Sequence, residues 1–411
     1  MKITDIPSET PIPDNTVKFT AGPSQQHEFS PDIQRLAERA DAMSHRSAFA
    51  KQLISRANKQ IFRLFGITEE KQNLEFNFDV PENNPPSWHV CWINSGTDGM
   101  ERAIRAACPL MGTVLVNTDN FSAVAGQEMN ASRRQFNEIK FERGEGLKIG
   151  SEKFEKLKKE VESGAISTIY ITENGTTTGV NQREAIEELI RARNQSGSRT
   201  VIIVDAVSGQ ILGAEREQVP DIIFWGNQKD PAISTGCGNL LFNEKAIARA
   251  ANLNHSGLDT GGKLGVLSAY GTNDKRFTEA GQTAQTPPMG LIYKQNILYG
   301  NLMNNGGEHR QKISAMQERA KEMITDTFCG HTGLRFLTHE KNLRSNTSHV
   351  LKVPERHDVA RIISALKERG FSISSGYGTF KDTEVRICVY SANTLAQIES
   401  LLDEAMRIVN N

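Results

Sequence analysis

Two side chains that could take part in one reaction follow neighbouring predicted strands. The aliphatic run Val201–Val204 ends at Asp205, and sixteen residues later a second apolar run, Ile222–Trp225, leads into a polar turn that carries Lys229. A short β-branched run closed by an acid is typical of a buried parallel strand, and ligands bind at the carboxyl edge of such sheets. The pattern therefore predicts a carboxylate and an amine that face one ligand from two sides.

An acid and a lysine in this arrangement suit pyridoxal phosphate. The lysine amine forms a Schiff base with the cofactor, and the carboxylate keeps a proton on the pyridine nitrogen so that the ring can accept electrons from a carbanion. A surface lysine and a capping aspartate are the other interpretation of the same two residues. The neighbouring motifs decide between the two.

Composition limits the class of protein. A chain of 411 residues predicts two domains, and 48 basic against 49 acidic residues argue against a nucleic-acid partner. No run of apolar residues is long enough for a membrane span, and the first residues lack the apolar core of a signal peptide. Five scattered cysteines without a CxxC pair favour the reducing cytoplasm, and no metal-ligand spacing is present.

A strand-to-helix turn predicts a phosphate site. The strand WHVCWI at 88–93 is followed by a turn at 94–99 and a helix predicted from Met100 to Ala107. Free N–H groups and the positive end of the helix dipole point at an anion bound there. Asp98, inside this turn, is unfavourable because it is an acid beside an anion.

Other candidate side chains have both a functional and a structural interpretation. Phe121 either lies on a cofactor ring or belongs to the core, and the hydroxyl-rich loop at 173–179 could donate to a cofactor oxygen. Arg386 interrupts an apolar strand and calls for an anionic partner. His45 and Arg46 form a cationic pair that either binds a carboxylate or phosphate or lies on the surface.

Strands alternate with helices from 88 to 229, which predicts a doubly wound α/β sheet with right-handed crossovers. The later part of the chain predicts a smaller α+β domain. The expected division is an N-terminal arm at 1–18, a large domain at 19–288 and a small C-terminal domain at 289–411.

Together the motifs resemble the class V pyridoxal phosphate-dependent aminotransferases, and within them the phosphoserine aminotransferases. The resemblance runs from about Phe19 to the C-terminus. Besides the strand that ends at Asp205, the matching pieces are FTAGPS (19–24), MSHRS (43–47), NGTTTG (174–179), GNQK (226–229), TPP (286–288), NNGG (304–307) and VRICVYSA (385–392).

The resemblance implies the fold, the reaction and the assembly. The fold is the fold type I of pyridoxal phosphate-dependent transferases, with a large, mostly parallel seven-stranded sheet domain and a small C-terminal α+β domain. The reaction transfers an amino group between an amino acid and a 2-oxo acid, with glutamate as the expected donor. The active enzyme is a homodimer whose subunits share their active sites.

The resemblance also implies residue roles. Lys229 binds the cofactor and moves the proton, Asp205 binds the pyridinium nitrogen, and Arg386 binds the substrate α-carboxylate. His45 and Arg46 reach across the dimer to a distal phosphate of the substrate. The other cofactor contacts are Gly96, Thr97, Phe121 in place of the family's usual Trp, Thr176 at the phenolate oxygen, Gln228, and, from the neighbouring subunit, Gln285 and Thr286.

Two departures from the family's pattern keep the substrate open. Asp98 stands where an Arg is frequent, and Thr379 lies near the expected position of a His. Each lost charge-assisted bond to a dianion costs about 1.5–3 kcal/mol. Phosphoserine is the leading single substrate, and non-phosphorylated substrates such as serine or alanine with glyoxylate remain alternatives.

Two further functions are compatible with the same scaffold. A lyase or cysteine desulfurase needs a cysteine on a mobile loop, and the nearest cysteine, Cys237, is expected to be structural. A non-catalytic binding protein would not need Asp205, Lys229 and Arg386 together.

Overall fold

The computed structural model describes residues 16–22, 25–67, 88–261, 266, 286–304 and 307–410. Strands and helices are numbered in chain order. The strands are β1 (Val17–Phe19), β2 (Trp88–Ile93), β3 (Thr113–Asn117), β4 (Phe136–Lys140), β5 (Thr168–Thr172), β6 (Val201–Asp205), β7 (Ile222–Gly226), β8 (Gly238–Asn243), β9 (Arg335–Phe336), β10 (Ser348–Lys352), β11 (Phe371–Ser375) and β12 (Glu384–Cys388). The α-helices are α1 (Pro31–Asp41), α2 (Ala48–Leu64), α3 (Gly96–Ala107), α4 (Asn120–Ala131), α5 (Glu152–Glu162), α6 (Arg183–Ser196), α7 (Glu244–His255), α8 (Met289–Met303), α9 (Glu308–Ile324), α10 (Val359–Glu368) and α11 (Leu395–Asn410).

The large sheet has seven strands in the order β2-β8-β7-β6-β5-β3-β4. Its strands pair in parallel except for β8, which is antiparallel to both β2 and β7. Strands β5, β6 and β7 are buried along their whole length because helices cover both faces. One face packs against α2, α5, α6 and α8, and the other against α3, α4 and α7. The predicted doubly wound, mostly parallel seven-stranded sheet is confirmed.

The second sheet has five strands in the order β1-β11-β12-β10-β9. Its core is separate from the large domain's and includes apolar side chains of α9, α10 and α11. The N-terminal strand β1 pairs in parallel with β11, so that Val17 lies opposite Phe371. Phe19 is completely buried in this core. Residues 17–19 therefore belong to the small sheet, although the sequence pattern put them where an arm meets the large domain.

The helix α8 packs on the large domain. Ile292 and Tyr299 belong to the large-domain core, and the Trp225 indole N–H donates to the Tyr299 hydroxyl at 3.2 Å. The backbone N–H of Gly290 donates to Asp41 at the end of α1 at 2.6 Å. The division at 288 stays a prediction, and this packing favours a boundary after Met303 instead.

The helix α3 begins four residues earlier than the sequence pattern predicted, at Gly96 rather than Met100. The Ser95 side chain accepts a hydrogen bond from the backbone N–H of Asp98 at 3.1 Å and so caps the helix. The predicted turn at 94–99 is therefore largely the first turn of the helix, which leaves the N–H groups of Gly96 and Thr97 at its positive end.

Candidate active site

The carboxyl ends of β6 and β7 meet at one edge of the large sheet. Asp205 is the last residue of β6 and lies opposite Phe224 of β7, and Lys229 follows β7 by three residues. The turn before Lys229 is held by Asn227, whose side-chain amide donates to Gln295 of α8 at 2.6 Å. Asp205 and Lys229 line the same cavity of about 260 Å³. The structure thus brings the predicted acid and amine to one site.

The Lys229 amine lies among hydroxyl groups. Nζ of Lys229 donates to Oγ of Ser208 at 2.6 Å and to Oγ1 of Thr176 at 3.1 Å, and these two hydroxyls also contact each other. Burial lowers the pKa of Lys229 to about 8, although Cys388 and Asp205 act to raise it. A neutral amine is the nucleophilic form, so burial prepares this side chain for covalent chemistry.

Asp205 has two donors at its carboxylate. The Tyr170 hydroxyl donates to Oδ2 at 3.2 Å, and the backbone N–H of Val207 donates to Oδ1 at 3.0 Å. Burial raises the pKa of Asp205 to about 7, and the hydrogen bond from Val207 acts in the opposite direction. A cation placed beside this carboxylate would stabilise its charged form.

The start of α3 lines the same cavity as Lys229. Ser95, Gly96 and Thr97 line it, and Gln228 lines it from the β7 side. A Cβ atom on Gly96 would lie 2.5 Å from a methyl group of Val207, so a side chain here would displace the Val207 side chain. The free N–H groups of a helix start are suited to a phosphate.

Asp98 does not oppose an anion as the sequence suggested. Both oxygens of Asp98 accept hydrogen bonds from Arg102, at 2.6 Å from Nε and 3.1 Å from Nη2. The backbone N–H of Asn94 donates to the same carboxylate at 2.9 Å. Asp98 is thus neutralised within its own helix, and its cost to an anion at the helix start is small.

Phe121 is a half-buried residue that lines the cavity from the first turn of α4. Its ring centroid lies 5.6 Å from Nζ of Lys229 and 6.0 Å from the ring centroid of Tyr377. Asp119 caps α4 by accepting hydrogen bonds from the backbone N–H groups of Phe121 and Ser122. This cap holds the backbone from which the Phe121 ring projects.

Arg386 lies in β12 of the small sheet and is 9% exposed. Its Nε donates to the carbonyl oxygen of Ser375 at 2.8 Å, and its guanidinium carbon lies 5.9 Å from the Tyr377 ring centroid. The charge of Arg386 also helps lower the pKa of Lys229, after the larger effect of burial. The small domain therefore supplies a cation near the cavity.

Three predicted contacts among the described residues, His45, Arg46 and Thr286, do not line this cavity within one chain. His45 and Arg46 lie on the loop between α1 and α2, and Arg46 is exposed. Thr286 is exposed as well, and Gln285 lies outside the described residues. Thr379 is exposed in a short turn at Gly378–Phe380.

Sequence reasoning missed three polar residues at the site: Ser208, Tyr170 and Asp119. Ser208 binds the lysine amine but belongs to no motif, and Tyr170 looks like a core residue of β5. Asp119 carried a signal, because an acid two residues before Phe121 is a good helix cap.

No group of three or more potential metal ligands occurs among the described residues, and none of their helices is long and apolar enough to cross a membrane.

Comparison with known proteins supports the fold. No protein-family model matches the chain, and no curated protein matches it by sequence. Solved structures with the same fold include a phosphoserine aminotransferase from Cytophaga hutchinsonii, with 20% identity, a TM-score of 0.78, and coverage of 96% of this chain and 99% of that chain. A ureidoglycine–glyoxylate aminotransferase from Bacillus subtilis has 16% identity, a TM-score of 0.75, and coverage of 96% and 94%. An alanine–glyoxylate aminotransferase from Nostoc sp. has 17% identity, a TM-score of 0.73, and coverage of 99% and 97%.

These structural neighbours are class V pyridoxal phosphate-dependent aminotransferases. The chain has their fold over nearly its whole length.

Proposed function

We propose that the chain is a pyridoxal phosphate-dependent aminotransferase that moves an amino group between an amino acid and a 2-oxo acid. The observation that carries this proposal is the joint lining of one cavity by Asp205, Lys229 and the start of α3. An acid, an amine and an anion site are the three groups that the cofactor's pyridine nitrogen, aldehyde and phosphate require.

The residues present fit this cofactor. Three side chains that line the cavity each have a buried oxygen without a hydrogen-bond partner among the described residues: Oδ2 of Asp119, Oγ1 of Thr172 and Oδ1 of Asn174. Buried polar atoms are rarely left unpaired, so a polar ligand is expected beside them. The phosphate would bind at Gly96 and Thr97, the ring nitrogen at Asp205 and the phenolate oxygen at Thr176.

Pyridoxal phosphate, when bound, supplies an aldehyde that condenses with amines and a ring that withdraws electrons from the substrate α-carbon. Lys229 is the amine that would hold this aldehyde. It would also be the base that carries the proton between the substrate α-carbon and the cofactor. The hydroxyls of Thr176 and Ser208 orient the amine, and Asp205 keeps the ring nitrogen protonated.

The substrate side is formed by the small domain and a second copy of the chain. Arg386 is the proposed partner of the α-carboxylate, because a planar guanidinium binds carboxylates through two hydrogen bonds. His45, Arg46, Gln285 and Thr286 are proposed to complete the site of the other subunit, which makes the enzyme a homodimer. Phosphoserine or a related small amino acid is the proposed substrate, and glutamate the proposed donor.

The desulfurase alternative lacks support from the cysteines whose side chains the structure describes. These are Cys91, Cys108, Cys237 and Cys388, and all four are free and buried. Burial raises the pKa of Cys237 to about 12, which disfavours the nucleophilic thiolate. Free, buried cysteines also agree with the proposed location in the reducing cytoplasm.

A half-reaction screen tests the proposed function. The purified protein, loaded with pyridoxal phosphate, is mixed separately with phosphoserine, glutamate, alanine, serine and lysine. We expect at least one of them to convert the cofactor to its aminated form, with release of the matching 2-oxo acid. Cysteine with a thiol reductant is tested in parallel. Release of sulfide and alanine from cysteine under these conditions, or no conversion by any amino acid, would contradict the proposal.

A further inference from the structure

Arg143 connects the cofactor side of the site to the small domain. It lies in the loop between β4 and α5, and its side chain is 18% exposed. Its Nη2 donates to the carbonyl oxygen of Thr177 at 2.7 Å. The same guanidinium donates to Glu384 of β12 through two hydrogen bonds, from Nε at 2.9 Å and from Nη2 at 2.6 Å.

Arg143 also holds the segment that connects β11 to β12. Its guanidinium carbon lies 3.9 Å from the centroid of the Phe380 ring, within the range of a cation–π contact. Phe380 is itself partly exposed, and the backbone N–H of Thr383 donates to its carbonyl oxygen at 3.2 Å. One side chain of the large domain thus holds both the connecting segment and the strand that follows it.

The ion pair between Arg143 and Glu384 is buried and is formed by two hydrogen bonds. The Glu384 side chain is only 2% exposed. A carboxylate left in this place without its partner carries a large desolvation cost, so the strand would have to move to reach water. Lysine cannot reproduce the planar fork of two parallel hydrogen bonds.

The strand held in this way is the strand of Arg386. Glu384 and Arg386 are two residues apart on β12 and therefore project from the same face of the sheet. The carbonyl oxygen of Glu384 accepts from the backbone N–H of Gly376 at 2.7 Å, and Arg386 donates to the neighbouring Ser375 carbonyl at 2.8 Å. A shift of Glu384 would therefore move the guanidinium of Arg386.

The other end of the connection reaches the lysine. Thr177, which accepts from Arg143, directly follows Thr176, which contacts the Lys229 amine. The Thr177 hydroxyl also accepts from the backbone N–H of Asn120, next to Phe121, at 3.2 Å. A continuous series of contacts therefore joins the amine to the strand of Arg386 through Arg143.

We propose that Arg143 is a positioning residue that fixes Arg386 relative to Lys229 and so sets the affinity for the substrate's α-carboxylate. This inference rests on the proposed aminotransferase function. Arg143 touches neither substrate nor cofactor in this role, because its hydrogen bonds go to Glu384 and Thr177.

The test compares Arg143→Gln with Arg143→Lys and with Arg369→Gln. Arg369 is the matched control, because it binds Glu404 on the surface of the small domain with 46% of its side chain exposed. Each holoenzyme is titrated with an amino acid that is active in the screen, with the amine that lacks its α-carboxylate, and with its α-methyl derivative, which has no α-proton to lose. Binding of the α-methyl compound is followed by absorbance and does not depend on turnover.

Because small displacements of a binding group cost up to about 100-fold, Arg143→Gln should weaken binding of the amino acid and of its α-methyl derivative about 10- to 100-fold. The reaction with the amine and the affinity for pyridoxal phosphate should stay within about 3-fold of wild type, since neither involves Arg386. The affinity of Arg143→Lys for the amino acid should lie between those of Arg143→Gln and wild type. The affinity of Arg369→Gln should match that of wild type. Arg143→Lys keeps the charge and so protects the test against a loss of folding.

Two outcomes would overturn the inference in distinguishable ways. In the first, the wild type converts amino acids, but Arg143→Gln either lowers the reactivity with the amino acid and with the amine equally or lowers neither. Arg143 then does not act through Arg386. If the wild-type holoenzyme neither converts amino acids nor binds the α-methyl compound, the proposed function fails and the role of Arg143 fails with it.

Discussion

The cavity around Lys229 and the loop at 42–47 differ in how their cationic side chains are held. Lys229 is 6% exposed and donates to the hydroxyls of Thr176 and Ser208. Arg46 is exposed, and its backbone N–H donates to the Ser44 hydroxyl at 3.3 Å. The cavity is therefore pre-organised within one chain, whereas the loop presents the Arg46 side chain to solvent.

Exposed apolar side chains lie close in sequence to this loop. Leu36, Met43 and Phe49 are exposed by 39%, 41% and 43% of their surface. Contiguous exposed apolar surface marks interaction sites, so these side chains are the ones that the proposed homodimer would cover.

Lys229→Ala should have the largest effect, because it removes the amine from the pre-organised cavity. We expect the half-reaction to slow by about 10⁴- to 10⁶-fold, because a nucleophile and its proton-transfer role are lost together. Reduction of the wild-type holoenzyme with borohydride should attach the cofactor to the protein, and the variant should show no such mass increase. Lys312→Ala, at a lysine that is 65% exposed on α9, is the control. Full turnover by the Lys229 variant would contradict the assignment.

Asp205→Asn should be the next most damaging change. The amide cannot hold a positive ring nitrogen by charge, and a hydrogen bond to a charged group contributes about 1.5–3 kcal/mol, which corresponds to a loss of roughly 10- to 100-fold in rate. The single-turnover rate with the best amino acid measures this effect. An unchanged rate would mean that the carboxylate does not face the ring nitrogen.

The same substitution has a predicted effect on the stability of the apoprotein. Because burial raises the pKa of Asp205 to about 7 in the folded chain, the folded state binds more protons than the unfolded state between pH 4 and 7. The free energy of unfolding of the wild type therefore falls as the pH rises from 4 to 7, and the Asp205→Asn variant does not have this loss. Urea unfolding gives the free energy of unfolding of the variant minus that of the wild type. This difference should be larger at pH 8 than at pH 5 by roughly 2–3 kcal/mol. A pH-independent difference would contradict the raised pKa.

The sequence was informative where local pattern determines geometry. Asp205 ends one buried strand and Lys229 follows the next by a short turn, so their meeting at one sheet edge could be predicted from strand order alone. The contacts of Ser208 and Tyr170 could not, because a serine in a turn and a tyrosine in a strand have no distinctive pattern. The pairing of Val17 with Phe371 and the ion pair of Arg143 with Glu384, 241 residues apart, depend on how the small domain docks.

Tyr170→Phe would remove a single hydrogen bond beside the cavity. The Asp205 carboxylate would lose its donor at 3.2 Å, which should weaken pyridoxal phosphate binding about 10-fold. Tyr299→Phe is the matched control, since its hydroxyl binds Trp225 in the core. Equilibrium titration of both apoproteins with the cofactor measures the difference. Equal losses in the two variants would indicate a general packing effect.

Arg46→Ala tests the other side of the comparison and should have the smallest effect. An exposed cation is screened by salt, so we expect at most about a 3- to 10-fold rise in KM for an amino acid with an anionic side chain. The KM for alanine should not change, because alanine offers no distal group, and Arg35→Ala on the exposed face of α1 should match wild type for both substrates. If the loop completes the site of a second subunit, the effect for the anionic substrate should disappear when the protein is diluted until it dissociates. An effect that persists in the monomer would mean that the loop reaches its own cavity, and the contrast between the two regions would then be one of solvent exposure rather than of assembly.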